Sequence, residues 1–188
     1  PNTPFSEPEY KNKYGYKYTK TAAPAGGNTY PKDSNGEIDY VAYESKSYSK
    51  QDYIDMYFFA KGLVIPHHYH GVSQVAATYL NREHNVPFID FYKKLFEYSR
   101  NGNGVLNEEY KNHTNSLKQS LFEDKTWGRT IEGGDDFHIQ DNGATASFLY
   151  RNIDKVHKEV IDICKKEYNV DVSEACQFNK HIIDTYER

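Results

Sequence analysis

Two apolar stripes of helical period meet at a proline followed by three histidines, and this junction constrains the chain more than any other feature. The junction reads Pro66-His67-His68-Tyr69-His70-Gly71. Ahead of it, apolar side chains fall at 53, 54, 57 and 58, then at 64 and 65, the stripe of an amphipathic helix. Ser49 is placed to cap that helix by accepting from the amide of residue 52, and the Asp52 carboxylate can reach back. Pro66 has no N–H and its ring strikes the preceding turn, so the helix is expected to end or kink there. After Gly71 a second helix is predicted from apolar residues at 72, 75, 76, 79 and 80. A third follows, with Pro87 at its start and Phe88, Phe91, Tyr92, Leu95 and Phe96 on one face.

A mean hydropathy of -0.89 over 188 residues would suggest disorder. The 18 tyrosines and 10 phenylalanines oppose that reading, because aromatic rings bury large areas. The expected core is therefore aromatic and partly polar. A net charge of -4 gives no support for nucleic-acid or anionic-membrane binding. No run of about 18 apolar residues exists, so no membrane partner is expected, and Pro1-Asn2-Thr3-Pro4 has no signal-peptide character. The chain does not begin with methionine and reads as a processed product or a piece of something longer. Cys164 and Cys176 do not form a disulfide framework; reduced thiols and a cytoplasmic location are expected, although a bridge between consecutive helices is conceivable.

Residues 1–48 read as an extended, loop-rich arm punctuated by Pro1, Pro4, Pro8, Pro24, Pro31 and Gly26-Gly27. Short strands are predicted around Tyr14, Tyr16 and Tyr18 and over 37–45. Residues 49–188 read as a helical domain. Beyond the three helices above, a fourth spans about 106–123, with Leu106, Tyr110, His113, Leu117 and Leu121 on one stripe. Residues 126–131 and 135–140 flank Glu132-Gly133-Gly134 as a hairpin. A fifth helix is predicted over about 144–168. A sixth is capped by Ser173 and turns Ala175, Phe178, Ile182 and Tyr186 inward. The fold class is mainly α: about six helices in an orthogonal bundle, with a few short strands that include one hairpin.

His67, His68 and His70 form the leading candidate site. Neutral imidazoles bind transition metals, and His-x-His presents two on one side of an extended segment. A third ligand would have to come from elsewhere, such as His84, giving the metal alternative His68, His70, His84. Two other readings are that the histidines satisfy backbone groups at a broken helix end, or that His67, His68, Tyr69, His70 and Gln74 line a substrate pocket. Glu132, Asp135 and Asp136 read as a solvated turn rather than a carboxylate pair, Asp154 and His157 as a surface i,i+3 pair, and Trp127 as a core anchor. Glycine-rich phosphate loops, nucleophile elbows and Cys-x-x-Cys pairs are all missing from the sequence.

Pro1-Asn2-Thr3-Pro4-Phe5-Ser6-Glu7-Pro8-Glu9-Tyr10, closing on Tyr14-Gly15, resembles the stretch that follows the catalytic barrel in radical SAM enzymes with an N-terminal cobalamin-binding domain. In those proteins a Ser-x-x-Asp-Tyr/Trp helix, a His-x-x-Gly turn and a Phe-Tyr helix come next. Ser49 to Tyr53, His68 to Gly71 and Phe91-Tyr92 stand here in that order. The resemblance covers about residues 1–160. It implies a C-terminal helical region that packs on the parent's catalytic barrel and helps shape its substrate pocket. Because His68 stands where the family has its turn histidine, the resemblance also implies that His68 is the most buried of the three. The parent family uses a [4Fe–4S] cluster, S-adenosylmethionine and cobalamin. This chain lacks the Cys-x-x-x-Cys-x-x-Cys and Asp-x-His-x-x-Gly motifs for those groups, so no cofactor and no independent catalysis are expected on it. The alternatives are a stand-alone protein-interaction or structural module whose partner is another protein, and a small histidine-dependent metal-binding protein.

Overall fold

The computed structural model describes residues 7–21, 39–123, 128–130, 138–139 and 141–186. The expected turn at Glu132 to Asp136, Trp127, and the Pro24–Pro31 stretch lie outside these residues.

The arm contributes α1 (Pro8–Tyr14), which the sequence reading did not expect, and a hairpin of β1 (Lys17–Thr21) on β2 (Asp39–Glu44). Pro8 fits the first turn of α1, where no donor is needed, and Gly15 closes it at φ 66 with its N–H on the Lys11 carbonyl. The hairpin is docked rather than free. The Thr19 hydroxyl donates to the Leu121 carbonyl at 2.6 Å, and Tyr43 meets Phe122 edge-on with centroids 5.1 Å apart.

The helical body begins with α2 (Lys50–Tyr57), capped as its sequence predicts. Ser49 Oγ accepts from the Asp52 amide at 3.2 Å, and Asp52 Oδ2 accepts from the Ser49 amide at 2.8 Å. The helix does not stop at Pro66. It widens at Phe58 into twelve residues of π-helix, Phe58–Tyr69, with Pro66 inside. The wider turn carries the i−4 carbonyl away from the pyrrolidine ring, so the proline costs one hydrogen bond and not the helix.

Next come α3 (Gln74–His84), α4 (Phe88–Asn101) and α5 (Val105–Phe122). After the short pair β3 (Arg129–Thr130) and β4 (His138–Ile139) follow α6 (Asp141–Arg151), α7 (Ile153–Tyr168) and α8 (Ser173–Tyr186). The single helix expected over 144–168 is broken at Asn152, whose amide side chain bonds the Phe148 carbonyl at 3.0 Å. A side chain that satisfies the end of one helix leaves the backbone free to start another.

The core is mainly apolar. Leu63, Val72, Leu80, Phe91, Leu95, Leu149, Val156 and Val160 are fully buried between the helices. Each such side chain contributes about 1.5–3 kcal/mol by leaving water. A second cluster of Ile54, Leu117 and Leu121 seats the arm's Val41. The α5 N-terminus is capped from α7: Glu159 accepts from the amides of Val105 at 2.6 Å and Leu106 at 3.3 Å, and any side chain at Gly104 would collide with that carboxylate.

The last helix differs from its sequence reading by about one residue of rotation. Val172, Cys176, Asn179 and Ile183 face inward, while Phe178 and Ile182 face out. Ser173 is not its cap; Asp171 Oδ1 accepts from the Ser173 amide at 2.9 Å.

Candidate functional site: the histidine turn

The π-helix positions the turn. Gly62 lets it approach α5, since a Cβ there would enter the Phe58 ring and sit 3.0 Å from His113 Nδ1. The helix then unwinds over its last carbonyls, with His70 N–H on Ile65 O at 3.0 Å, Val72 N–H on Pro66 O at 3.2 Å and Ser73 N–H on His67 O at 3.1 Å. Gly71 supplies φ 77, a backbone that favours glycine.

Side chains from four other helices hold this turn, three of them through its backbone. His157 on α7 donates Nε2–H to the Val72 carbonyl at 2.8 Å. Asn179 on α8 donates to the carbonyls of Gly71 (2.5 Å) and Val72 (3.2 Å), and accepts from the Val75 amide at 3.1 Å. Tyr150 on α6 donates to the His70 carbonyl, and Tyr92 on α4 shares a hydrogen bond with His68 Nδ1 at 3.0 Å.

Within that frame the histidines face different surroundings. His67, and not His68, is the buried one: it is 2% exposed, bonded to Ser73 Oγ at 2.8 Å, and burial pushes its pKa down to about 3. At neutral pH it is an uncharged structural group. His68 is half-buried, edge-on to Phe88 and Tyr92 at 5.7 and 6.0 Å. Tyr69, at 77% exposure, and His70 point outward. Gln74 is also exposed, but it lines a separate shallow depression of about 280 Å³ along α3, to which no turn residue contributes. Among the described residues no group of three or more His, Cys, Asp or Glu is placed to hold a metal ion, and the His84 ring packs on Tyr79 at 5.2 Å.

His157 was expected at the surface with Asp154. It is buried on the Val72 carbonyl instead, while Asp154 reaches Lys180 at 3.5 Å.

The larger surprise lies behind the π-helix, where polar groups are buried together. Arg129 on β3 donates to Glu109 through Nη2 at 2.6 Å and Nη1 at 3.3 Å, and to Thr145 Oγ1 at 2.7 Å. Its Nε stands 3.6 Å from Asp141 Oδ1, an ion pair too long for a hydrogen bond. The Thr145 hydroxyl donates to Glu109 Oε1 at 2.7 Å and stands 3.0 Å from His113 Nδ1. With its one proton committed, Thr145 can only accept from that ring, so Nδ1 carries the His113 proton and Nε2 is a lone pair. That Nε2 is buried and has no hydrogen-bond partner. Burial pushes the His113 pKa down to about 3 and pushes the Glu109 carboxyl up despite its arginine. This buried network, one guanidinium between two carboxylates, ties β3 to α5 and α6. His113 was legible in sequence only as one member of an apolar stripe; Glu109, Arg129 and Asp141 are brought together by the fold.

No family model matches the chain, and no curated protein matches it.

Proposed function

We propose that the chain is a non-catalytic helical accessory domain, resembling the C-terminal region of a cobalamin-dependent radical SAM enzyme, that works in the cytoplasm against a catalytic barrel. The histidine turn is the part that borders the parent's substrate pocket, through Tyr69 and His70. One observation carries this reading. The turn backbone is fixed by hydrogen bonds from three helices and its His68 ring by Tyr92 on a fourth, yet it presents Tyr69 at 77% exposure and His70 to solvent. A rigid scaffold that holds polar and aromatic tips outward is how binding residues are positioned. The order of the motifs along residues 1–92 supports the same reading.

The test uses the polypeptide that carries the barrel. Tyr69→Ala and His70→Ala should raise KM for substrate while cleavage of S-adenosylmethionine without substrate continues. Unchanged KM and turnover in both variants would remove the turn from the pocket. An iron–sulfur cluster bound stoichiometrically by residues 1–188 alone would end the accessory-domain reading.

A further inference from the structure

The misplaced stripe of α8 points to an interface. Its sequence carries two apolar faces, and the fold buries the one made by Val172, Cys176 and Ile183. The other leaves Phe178 at 58% and Ile182 at 37% exposure, one turn apart, as a ridge. Neither packs against the core clusters. The ridge adjoins α3, because the Val75 amide is bonded to Asn179, the residue after Phe178. Along α3 runs the shallow depression of about 280 Å³, lined by Val75, Thr78, Tyr79, Arg82 and Glu83 with Gln74 at its end. Tyr79 is 39% exposed on its rim. Arg82 and Glu83 are adjacent charges of opposite sign, and neither has an ion-pair partner among the described residues.

We propose that this face binds a second copy of the chain about a two-fold axis. A two-fold interface brings one patch against itself, so the patch must be self-complementary. An apolar ridge beside a shallow groove that carries Val75 and Tyr79 meets that requirement in shape: Phe178 and Ile182 of each copy enter the α3 groove of its partner. A cation beside an anion meets it in charge, since Arg82 of each copy faces Glu83 of the other. A partner of one predominant charge would leave one of these two groups unpaired. The inference is independent of the accessory-domain reading, because the histidine turn and this face use different residues.

The experiment is sedimentation of the 21.9 kDa chain over a micromolar to millimolar range. The wild-type chain should pass from monomer to dimer. Phe178→Glu, at an exposed position, should keep the wild-type melting temperature and weaken the dimer by roughly tenfold or more. Arg82→Glu and Glu83→Arg should each weaken self-association, through acid facing acid and base facing base. An equimolar mixture of those two variants should dimerise again, because each then meets its opposite. A chain that stays monomeric throughout, a Phe178→Glu variant that associates as well as wild type, or a mixture no better than its components would each overturn the proposal.

Discussion

Arg129→Met removes the cation facing Glu109, and the structure sets both the size and the pH profile of the loss. The Glu109 side chain is 2% exposed and accepts two hydrogen bonds from Arg129 and one from Thr145. Without the guanidinium, the carboxylate keeps only Thr145 and still feels the negative charge of Asp141. Breaking a buried pair from one side costs about 3–5 kcal/mol. For a chain of this size that lowers the melting temperature by roughly 6–20 °C. Burial already holds the Glu109 carboxyl above its ordinary range, and the variant raises it further. A folded-state pKa above the unfolded value means that the native state takes up the proton first. The destabilisation is then absent below the ordinary carboxylate range and grows as pH rises through the folded value. Calorimetry of wild type and variant at neutral and mildly acid pH should show a deficit that shrinks on acidification. Arg129→Met combined with Glu109→Met should recover part of the stability, because the orphaned Glu109 charge is gone while Asp141, which loses its cation, keeps the hydrogen bond from Ser116. A neutral-pH deficit under about 1 kcal/mol, typical of an exposed pair, or one equal at both pH values, would refute the reasoning.

Gly62→Ala should cost about 1–3 kcal/mol in urea melts, the usual penalty of overpacking, since neither the Phe58 ring nor His113 can withdraw. His67 and His113 are buried with pKa values near 3, below the unfolded value, so stability is full above pH about 6.5 and is lost toward pH 3. Denaturation followed over that window should show a slope near 1.4 kcal/mol per pH unit for each histidine, reduced by one histidine's share in His113→Gln. Cys164 and Cys176 are buried with thiols pushed up to about 12, so iodoacetamide at mildly alkaline pH should label them only when the chain unfolds.

What the sequence revealed was what neighbours decide. The Ser49–Asp52 box and the α4 stripe of Phe91, Tyr92 and Leu95 follow from spacings of three and four residues, and both stand as read. Pro66 misled because its ordinary effect assumes an α-helical turn, and the wider helix removes the clash. The sixth-helix register misled because both faces of α8 are apolar; the choice falls to Asn179, a polar residue buried for the sake of carbonyls more than a hundred positions away. The network of Glu109, Arg129 and Asp141 left no local trace, since charged residues read as surface until the fold supplies their partners. At the turn, the sequence reading placed the burial on His68, whereas His67 is the buried histidine.

The bonds from Asn179 also impose an order of events. They join residue 179 to residues 71, 72 and 75, a separation of 104 to 108 positions. During synthesis, everything up to the end of α7 leaves the ribosome while the Gly71 and Val72 carbonyls and the Val75 amide lack this partner. The π-helix and α3 can form early from local bonds, yet the link between them cannot lock until α8 arrives. Pulse-labelled hydrogen exchange on nascent chains should find the Val75 amide unprotected until residue 179 has emerged, well after α3 itself is protected. The turn is thus early in the sequence and late in time.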